Sequence, residues 1–127
     1  MDLSFHHICI ETHCYKESID FYTKVMNFNI LHESKDFHGR DYNTWLQNGS
    51  IIIELQTPKK DTNREICKGN IGIMHICFRV DNLIETIAEI ENKGFSNFIN
   101  GKRTYKVLNS LLCKLETPEG SIIELRE

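Results

Sequence analysis

Two histidines and two glutamates recur in the sequence with the same order and nearly the same spacing. His7 precedes Glu54 by 47 residues, and His75 precedes Glu124 by 49 residues. Each glutamate lies in an apolar run, where an ionised carboxylate costs several kcal/mol unless it is paired or bound to a metal. Two imidazoles and two carboxylates suit a divalent cation such as zinc, nickel, cobalt, iron or manganese. The four residues therefore predict a metal site, provided that the fold brings them to one face.

The segments around these residues are internal repeats. GSIIIEL at 49–55 returns as GSIIEL at 120–125, and the tripeptide HIC occurs at 7–9 and again at 75–77. Matching order at matching distance indicates two diverged copies of one structural unit. We therefore predict a single domain, 1–127, made of two modules at about 1–58 and 71–127, with a linker at about 59–70.

Each module has the same predicted elements. The first helix lies in YKESIDFYTKVMNF with Asn27 as its left-handed stop. The second follows Asp81 as N-cap and ends at Gly94. Turn residues divide the rest into short strands, so each module is predicted as βαβββ and the fold class as α+β. The second helix has an apolar stripe of Leu83, Ile84, Ile87 and Ile90.

Alternation along the strands predicts where the polar side chains point. Ile8 and Ile10 share one face of the first strand, so His7 and Cys9 share the other. The same alternation separates His75 and Cys77 from their apolar neighbours, and it does so for both glutamates. If the apolar faces carry the helices, all four candidate ligands lie on the concave side of a curved mixed sheet.

Composition excludes several functions. A net charge of −3 and a pI near 6.1 do not suit nucleic-acid binding. The chain shows no export signal and no apolar run of about 18 residues, so we expect no membrane partner and a cytoplasmic location. At 127 residues the chain needs no stapling metal, so a metal would serve chemistry. The cysteines are predicted to be reduced thiols: Cys9, Cys14, Cys67, Cys77 and Cys113.

Several segments together resemble a known family. The chain resembles the vicinal oxygen chelate superfamily and, within it, glyoxalase I-like proteins of the glyoxalase/bleomycin resistance/dioxygenase family. The segments that carry the resemblance are HHICI, GSIIIELQTP, MHICFRVDNL and LETPEGSIIELRE. The resemblance implies paired βαβββ modules, a half-barrel sheet around one divalent metal and commonly a homodimer. Nickel, zinc and cobalt all accept such a set of nitrogen and oxygen ligands, so residue identity does not choose among these metals. The implied metal ligands are His7, Glu54, His75 and Glu124.

The resemblance also implies a reaction. Related epimerases usually place glutamine at the position of Glu54, whereas fosfomycin-modifying and ring-cleaving relatives use three protein ligands. Four ligands favour a lactoylglutathione lyase-like enzyme that isomerises a small hemithioacetal or α-hydroxy-ketone through a metal-chelated enediolate. Glu124 is then the predicted general base and acid, with Glu54 as the lesser candidate. The substrate is a small molecule, with a thiol adduct as one option.

Alternatives remain open at three points. His6 competes with His7 as the ligand, although His7 aligns with His75. The protein is either an enzyme or a small-molecule binding or antibiotic-resistance protein of the same fold without turnover. The metal is held within one chain or shared across a dimer, and the sequence assigns no role to Cys9 and Cys77 beyond packing.

Overall fold

The chain divides into two compact units, Met1–Glu65 and Ile66–Glu127, which we call the N-terminal and C-terminal units. The computed structural model describes residues 1, 2, 4–61 and 72–127. Cys67 and most of the predicted linker lie outside the described residues. The single-domain organisation stays a prediction.

The N-terminal unit is one four-stranded mixed sheet with a helix. Strand β1 pairs in parallel with β4, while β4–β3 and β3–β2 are antiparallel, giving the order β1-β4-β3-β2. A parallel neighbour requires a crossover, which here contains the helix and the β2–β3 hairpin. The elements are β1 (Ile8–Glu11), α1 (Tyr15–Asp20), a π-helical turn (Phe21–Val25), β2 (Asn29–Phe37), β3 (Arg40–Asn48) and β4 (Ile51–Gln56).

The C-terminal unit repeats this topology. Strand β5 pairs in parallel with β8, and the order is β5-β8-β7-β6. The predicted α+β class with two βαβββ modules is therefore confirmed. The elements are β5 (Ile76–Arg79), α2 (Leu83–Asn92), a 3₁₀ turn (Ile99–Gly101), β6 (Tyr105–Val107), β7 (Ser110–Glu116) and β8 (Ile122–Arg126).

The helix boundaries confirm one predicted stop and correct one predicted cap. Asn27 has a φ of 59°, the left-handed conformation expected after the first helix. The N-cap of α2 is Asn82 rather than Asp81, because the Asn82 side chain accepts a hydrogen bond from the Glu85 amide at 3.0 Å. Ile84 was wrongly placed in the buried stripe of α2, since its side chain is 52% exposed. Across the described residues, no helix is long and apolar enough to cross a membrane.

Along β4 and β8, apolar and acidic side chains point to opposite faces of the sheet. Ile53 and Leu55 on β4 are fully buried, and so are Ile123 and Leu125 on β8. The helices contribute Tyr22, Leu83, Ile87 and Ile90 to these cores. Because successive strand residues point to opposite faces, the glutamate between each buried pair is directed to the other face of its sheet.

Candidate metal centre

The N-terminal unit brings His7 next to Glu54. The parallel register sets Cys9 opposite Glu54, and His7 immediately precedes β1. His7 Nε2 lies 3.3 Å from Glu54 Oε2. The other carboxylate oxygen, Oε1, accepts hydrogen bonds from Asn43 Nδ2 at 2.8 Å and Gln56 Nε2 at 3.2 Å. Two neutral amides therefore hold one oxygen of this glutamate, while the second oxygen faces the histidine.

The C-terminal unit repeats the pair with charged donors. His75 Nε2 lies 3.5 Å from Glu124 Oε2, and the Glu124 side chain is only 6% exposed. Arg126 donates a hydrogen bond from Nε to Glu124 Oε1 at 2.9 Å, and its Nη2 forms an ion pair with the same oxygen at 2.8 Å. Lys114, the cross-strand partner of Glu124, places Nζ 3.9 Å from Oε2. The buried carboxylate is therefore balanced by positive charge.

The chemistry and spacing of both pairs fit metal ligation. Two ligand atoms at about 2.1 Å from one metal and about 90–109° apart are separated by about 3.0–3.4 Å. The observed separations between histidine nitrogen and glutamate oxygen, 3.3 and 3.5 Å, are close to this spacing. Ligating carboxylates are usually held by further hydrogen bonds, as both glutamates are here. In the described part of the chain, no group of three or more His, Cys, Asp or Glu side chains is arranged to hold a metal.

The contacts of His6 and His7 favour His7 as the candidate metal ligand. His7 reaches Glu54, whereas His6 is exposed and contacts His7 through the two Nδ1 atoms at 2.7 Å. The Trp45 ring packs edge-on against His7 with centroids 4.7 Å apart. A partner on Nδ1 fixes the ring and leaves Nε2 for the carboxylate side. The other histidines of the N-terminal unit are all exposed: His13, His32 and His38.

The two cysteines beside the glutamates are protonated thiols rather than nucleophiles. Burial and the adjacent Glu54 carboxylate raise the pKa of Cys9 to about 11. Burial and Glu124 likewise raise the pKa of Cys77, whose Sγ donates to Glu124 Oε1 at 3.6 Å. A thiol with a raised pKa is uncharged at neutral pH and is therefore a weak nucleophile. The four cysteines among the described residues are free.

Sequence analysis missed the residues that hold the carboxylates. Gln56 and Arg126 each lie two positions after a glutamate, so strand alternation alone places them on the same face. That signal was available in the segments IELQ and IELR. Asn43 and Lys114 belong to neighbouring strands and became visible only through the register.

Sequence comparison supports a family assignment. Residues 6–108 match the family model described as glyoxalase/bleomycin resistance protein/dioxygenase superfamily. The chain is also 30% identical over 92 residues to the uncharacterized protein YwkD of Bacillus subtilis (strain 168). This match covers 72% of each protein.

Solved structures support the same fold at low sequence identity. A glyoxalase family protein from Enterococcus faecalis has a TM-score of 0.78 at 23% identity, covering 98% of this chain and 97% of that one. Lactoylglutathione lyase from Agrobacterium tumefaciens has a TM-score of 0.70 at 18% identity, covering 100% and 96%. A point mutant of the fosfomycin resistance protein FosX from Listeria monocytogenes, complexed with Mn(II), has a TM-score of 0.69 at 14% identity, covering 99% and 90%. The chain belongs to the glyoxalase/bleomycin resistance protein/dioxygenase superfamily.

Proposed function

We propose that this protein is a divalent-metal-dependent lyase or isomerase of the glyoxalase I kind, acting on a small hemithioacetal or α-hydroxy-ketone. One observation carries the proposal. In both units a histidine Nε2 and a glutamate Oε2 lie at the spacing of two ligands of one metal, while the second glutamate oxygen is held by donors. The proposed ligands of a single ion are His7, Glu54, His75 and Glu124.

The ligating nitrogen and oxygen atoms are compatible with several divalent metals and do not select one of them. Imidazole nitrogen with carboxylate oxygen is accepted by nickel, zinc and cobalt alike, so all three are candidates. Bound there, such an ion would act as a Lewis acid toward substrate oxygens that gain negative charge in the reaction. The side chains that hold Oε1 of each glutamate would keep the liganding oxygen, Oε2, aimed correctly.

Glu124 is the proposed proton carrier. Its Oε1 accepts a hydrogen bond from Arg126 Nε at 2.9 Å, so Oε2, once partly released from the metal, would be the oxygen that takes a proton from one substrate carbon and returns it to the next. Glu54 is the second candidate, since its amide donors likewise hold Oε1 and leave Oε2 toward His7. The two roles are separated by the paired substitutions described in the Discussion.

The fold neighbours support this class of reaction without specifying the substrate. One neighbour is a lactoylglutathione lyase and another is a fosfomycin resistance protein that carries Mn(II). We therefore propose the hemithioacetal of methylglyoxal and glutathione as the first substrate to test, followed by adducts of other cellular thiols.

A binding or antibiotic-resistance protein without turnover is the second candidate function. Among the described residues, every buried side-chain nitrogen or oxygen has a hydrogen-bond partner. Oε1 of each glutamate accepts a hydrogen bond from a protein donor, and the same arrangement would be stable without a metal. Metal bound at full occupancy without proton exchange on an α-hydroxy-ketone would favour this second function.

Metal content tests the ligand set directly. We expect about one divalent ion per site by elemental analysis of the untagged protein, and a large loss in His75→Ala because a ligand nitrogen is removed. His13→Ala removes an exposed histidine of the same type and should keep the parental metal content. Equal metal in His75→Ala and the parent would show that the proposed ligands are wrong.

We also propose a homodimer. Strands β2 and β6 form outer edges of their respective sheets, and Ile30 and Leu31 on β2 are 48% and 54% exposed. Apolar side chains on an unpaired edge favour association with another strand or subunit. Sedimentation analysis should show a dimer at micromolar concentration, and monomer alone would contradict the proposal.

A further inference from the structure

The sheet face that carries His75 and Glu124 also carries three basic side chains. Arg79 on β5 is the register partner of Arg126 on β8, and Lys114 on β7 is the partner of Glu124. Directly paired residues of neighbouring strands point to the same side of a sheet, and residues two apart on one strand do the same. We call Arg79, Lys114 and Arg126 the basic face.

Positive charge on this face exceeds negative charge. Arg79 is exposed, and the side chains of Lys114 and Arg126 are 34% and 38% exposed. Two acidic groups share this face with the three basic ones: Glu124, and Glu116, which follows Lys114 by two residues on β7 and lies opposite Ile122. Two like charges directly opposite each other on paired strands destabilise a sheet. Glu124 already balances the charge of Arg126, with 2.8 Å between Oε1 and Nη2, so an added anion would be favoured mainly beside Arg79.

The corresponding positions of the N-terminal unit show that the fold does not require these charges. Glu11 occupies the place of Arg79, four residues after the histidine, and its carboxylate pairs with Arg40 at 2.9 Å. Trp45 occupies the place of Lys114, opposite the glutamate. Gln56 occupies the place of Arg126. The excess of positive charge is thus specific to the C-terminal sheet.

We propose that the basic face binds an anionic group of the substrate, with Arg79 as its main donor and Lys114 as a second positive charge. Arg126 already donates a hydrogen bond to Glu124 through Nε and forms an ion pair with it through Nη2, and so acts as a positioning residue. A guanidinium offers a planar fork of N–H donors that matches a carboxylate, phosphate or phosphonate oxygen pair. The inference rests on the proposed function for its reaction and narrows the substrate to one bearing a carboxylate, phosphate or phosphonate group.

Titration of metal-free protein with inorganic phosphate tests the face without activity as the readout. We expect saturable binding by calorimetry and amide shifts of β5, β7 and β8 in NMR spectra, weakened by added salt. Arg79→Gln should weaken phosphate binding about tenfold, the expected cost of a charge-assisted hydrogen-bonded pair. Arg79→Lys keeps the positive charge but lacks the planar pair of N–H donors. Its phosphate affinity should therefore lie between those of the parent and of Arg79→Gln.

A matched control removes the same charge elsewhere. Arg103 forms two hydrogen bonds to Glu91, at 2.7 and 2.8 Å, so Arg103→Gln should bind phosphate like the parent. Absence of phosphate binding by the parent would overturn the inference. So would unchanged binding in Arg79→Gln, or an equal loss in Arg103→Gln.

Metal content of the same variants separates this inference from the proposed function. If the Arg79→Gln variant has the parental metal content and the parental phosphate affinity, the proposed anion site is wrong and the proposed metal site is unaffected. Phosphate binding that depends on Arg79 in a protein that takes no metal would support the anion site and remove the metal-dependent reaction. Parallel titrations with acetate and methylphosphonate then show which class of oxyanion the face prefers.

Discussion

Strands β4 and β8 have nearly the same sequence, yet their glutamates have different surroundings. Both strands follow Gly-Ser, both pair in parallel with a strand that follows a histidine, and both bury the residues flanking the glutamate. Glu54 is held by the neutral amides of Asn43 and Gln56. Glu124 is held by the Arg126 guanidinium, with the Lys114 ammonium 3.9 Å away.

The difference shows which parts of a repeated module can diverge. The apolar residues of each strand fix its position in the sheet, so the glutamate reaches the same place in both copies. The residues opposite the glutamate and two positions after it determine local charge without disturbing that placement. We therefore propose different roles for the two carboxylates, with Glu54 mainly as a ligand and Glu124 also as a proton carrier.

Exchanging each glutamate for glutamine should reveal the largest functional difference between the two units. Glu124→Gln keeps an oxygen that can accept from Arg126 but cannot take up a proton. We expect turnover to fall by about 10²- to 10⁴-fold, the range for losing a general base, with only partial loss of metal. Steady-state rates per bound metal ion are the measurement.

Glu54→Gln is the matched variant, since it makes the same change in the other unit. It should retain clearly more activity at equal metal loading. Equal rate losses would mean that the two glutamates share the proton transfer. Parental turnover in metal-loaded Glu124→Gln would contradict the assigned mechanism even if all four ligands are right.

Removing a donor from each glutamate should change the stability of the metal-free protein by different amounts in the two units. Arg126→Ala leaves Glu124, 5% exposed, without its charge-assisted hydrogen bond and ion pair to Arg126, and should lower the free energy of unfolding by about 2 kcal/mol. Gln56→Ala should cost about 1 kcal/mol or less, because Asn43 still donates to Glu54 at 2.8 Å. Urea unfolding of both variants gives the two values, and equal losses would mean that charged and neutral donors stabilise the carboxylates alike.

Sequence patterns predicted the two modules well because strand alternation and helix stops depend on local backbone conformation. The repeats at 49–55 and 120–125, with strand alternation, were sufficient to predict two βαβββ modules. Asn27 was recognised as a helix stop from its known tolerance of the left-handed conformation. These features depend on residues that are close in sequence.

The environment of the glutamates could be predicted only in part. Arg126 and Gln56 were recoverable from alternation, whereas Asn43 and Lys114 required the register of β3 and β7, which a single sequence does not give. Ile84 was misplaced because a helical apolar stripe of four residues is wider than the surface that α2 buries. A joint site formed by residues of both units stays a prediction.

The starts of the two helices offer the smallest test of how the units differ. Cys14 at the N-cap of α1 makes no side-chain capping hydrogen bond, whereas Asn82 caps α2 by accepting from the Glu85 amide. Asn82→Ala should lower the free energy of unfolding by about 1 kcal/mol, because an amide of the first turn loses its acceptor. Asp81→Ala, the residue first expected to be the cap, should change it by about 0.5 kcal/mol or less. Thermal or urea unfolding of the pair gives both values. A larger loss in Asp81→Ala would mean that the helix begins one residue earlier in solution, and that the two units differ less at their helix starts than the hydrogen bonds indicate.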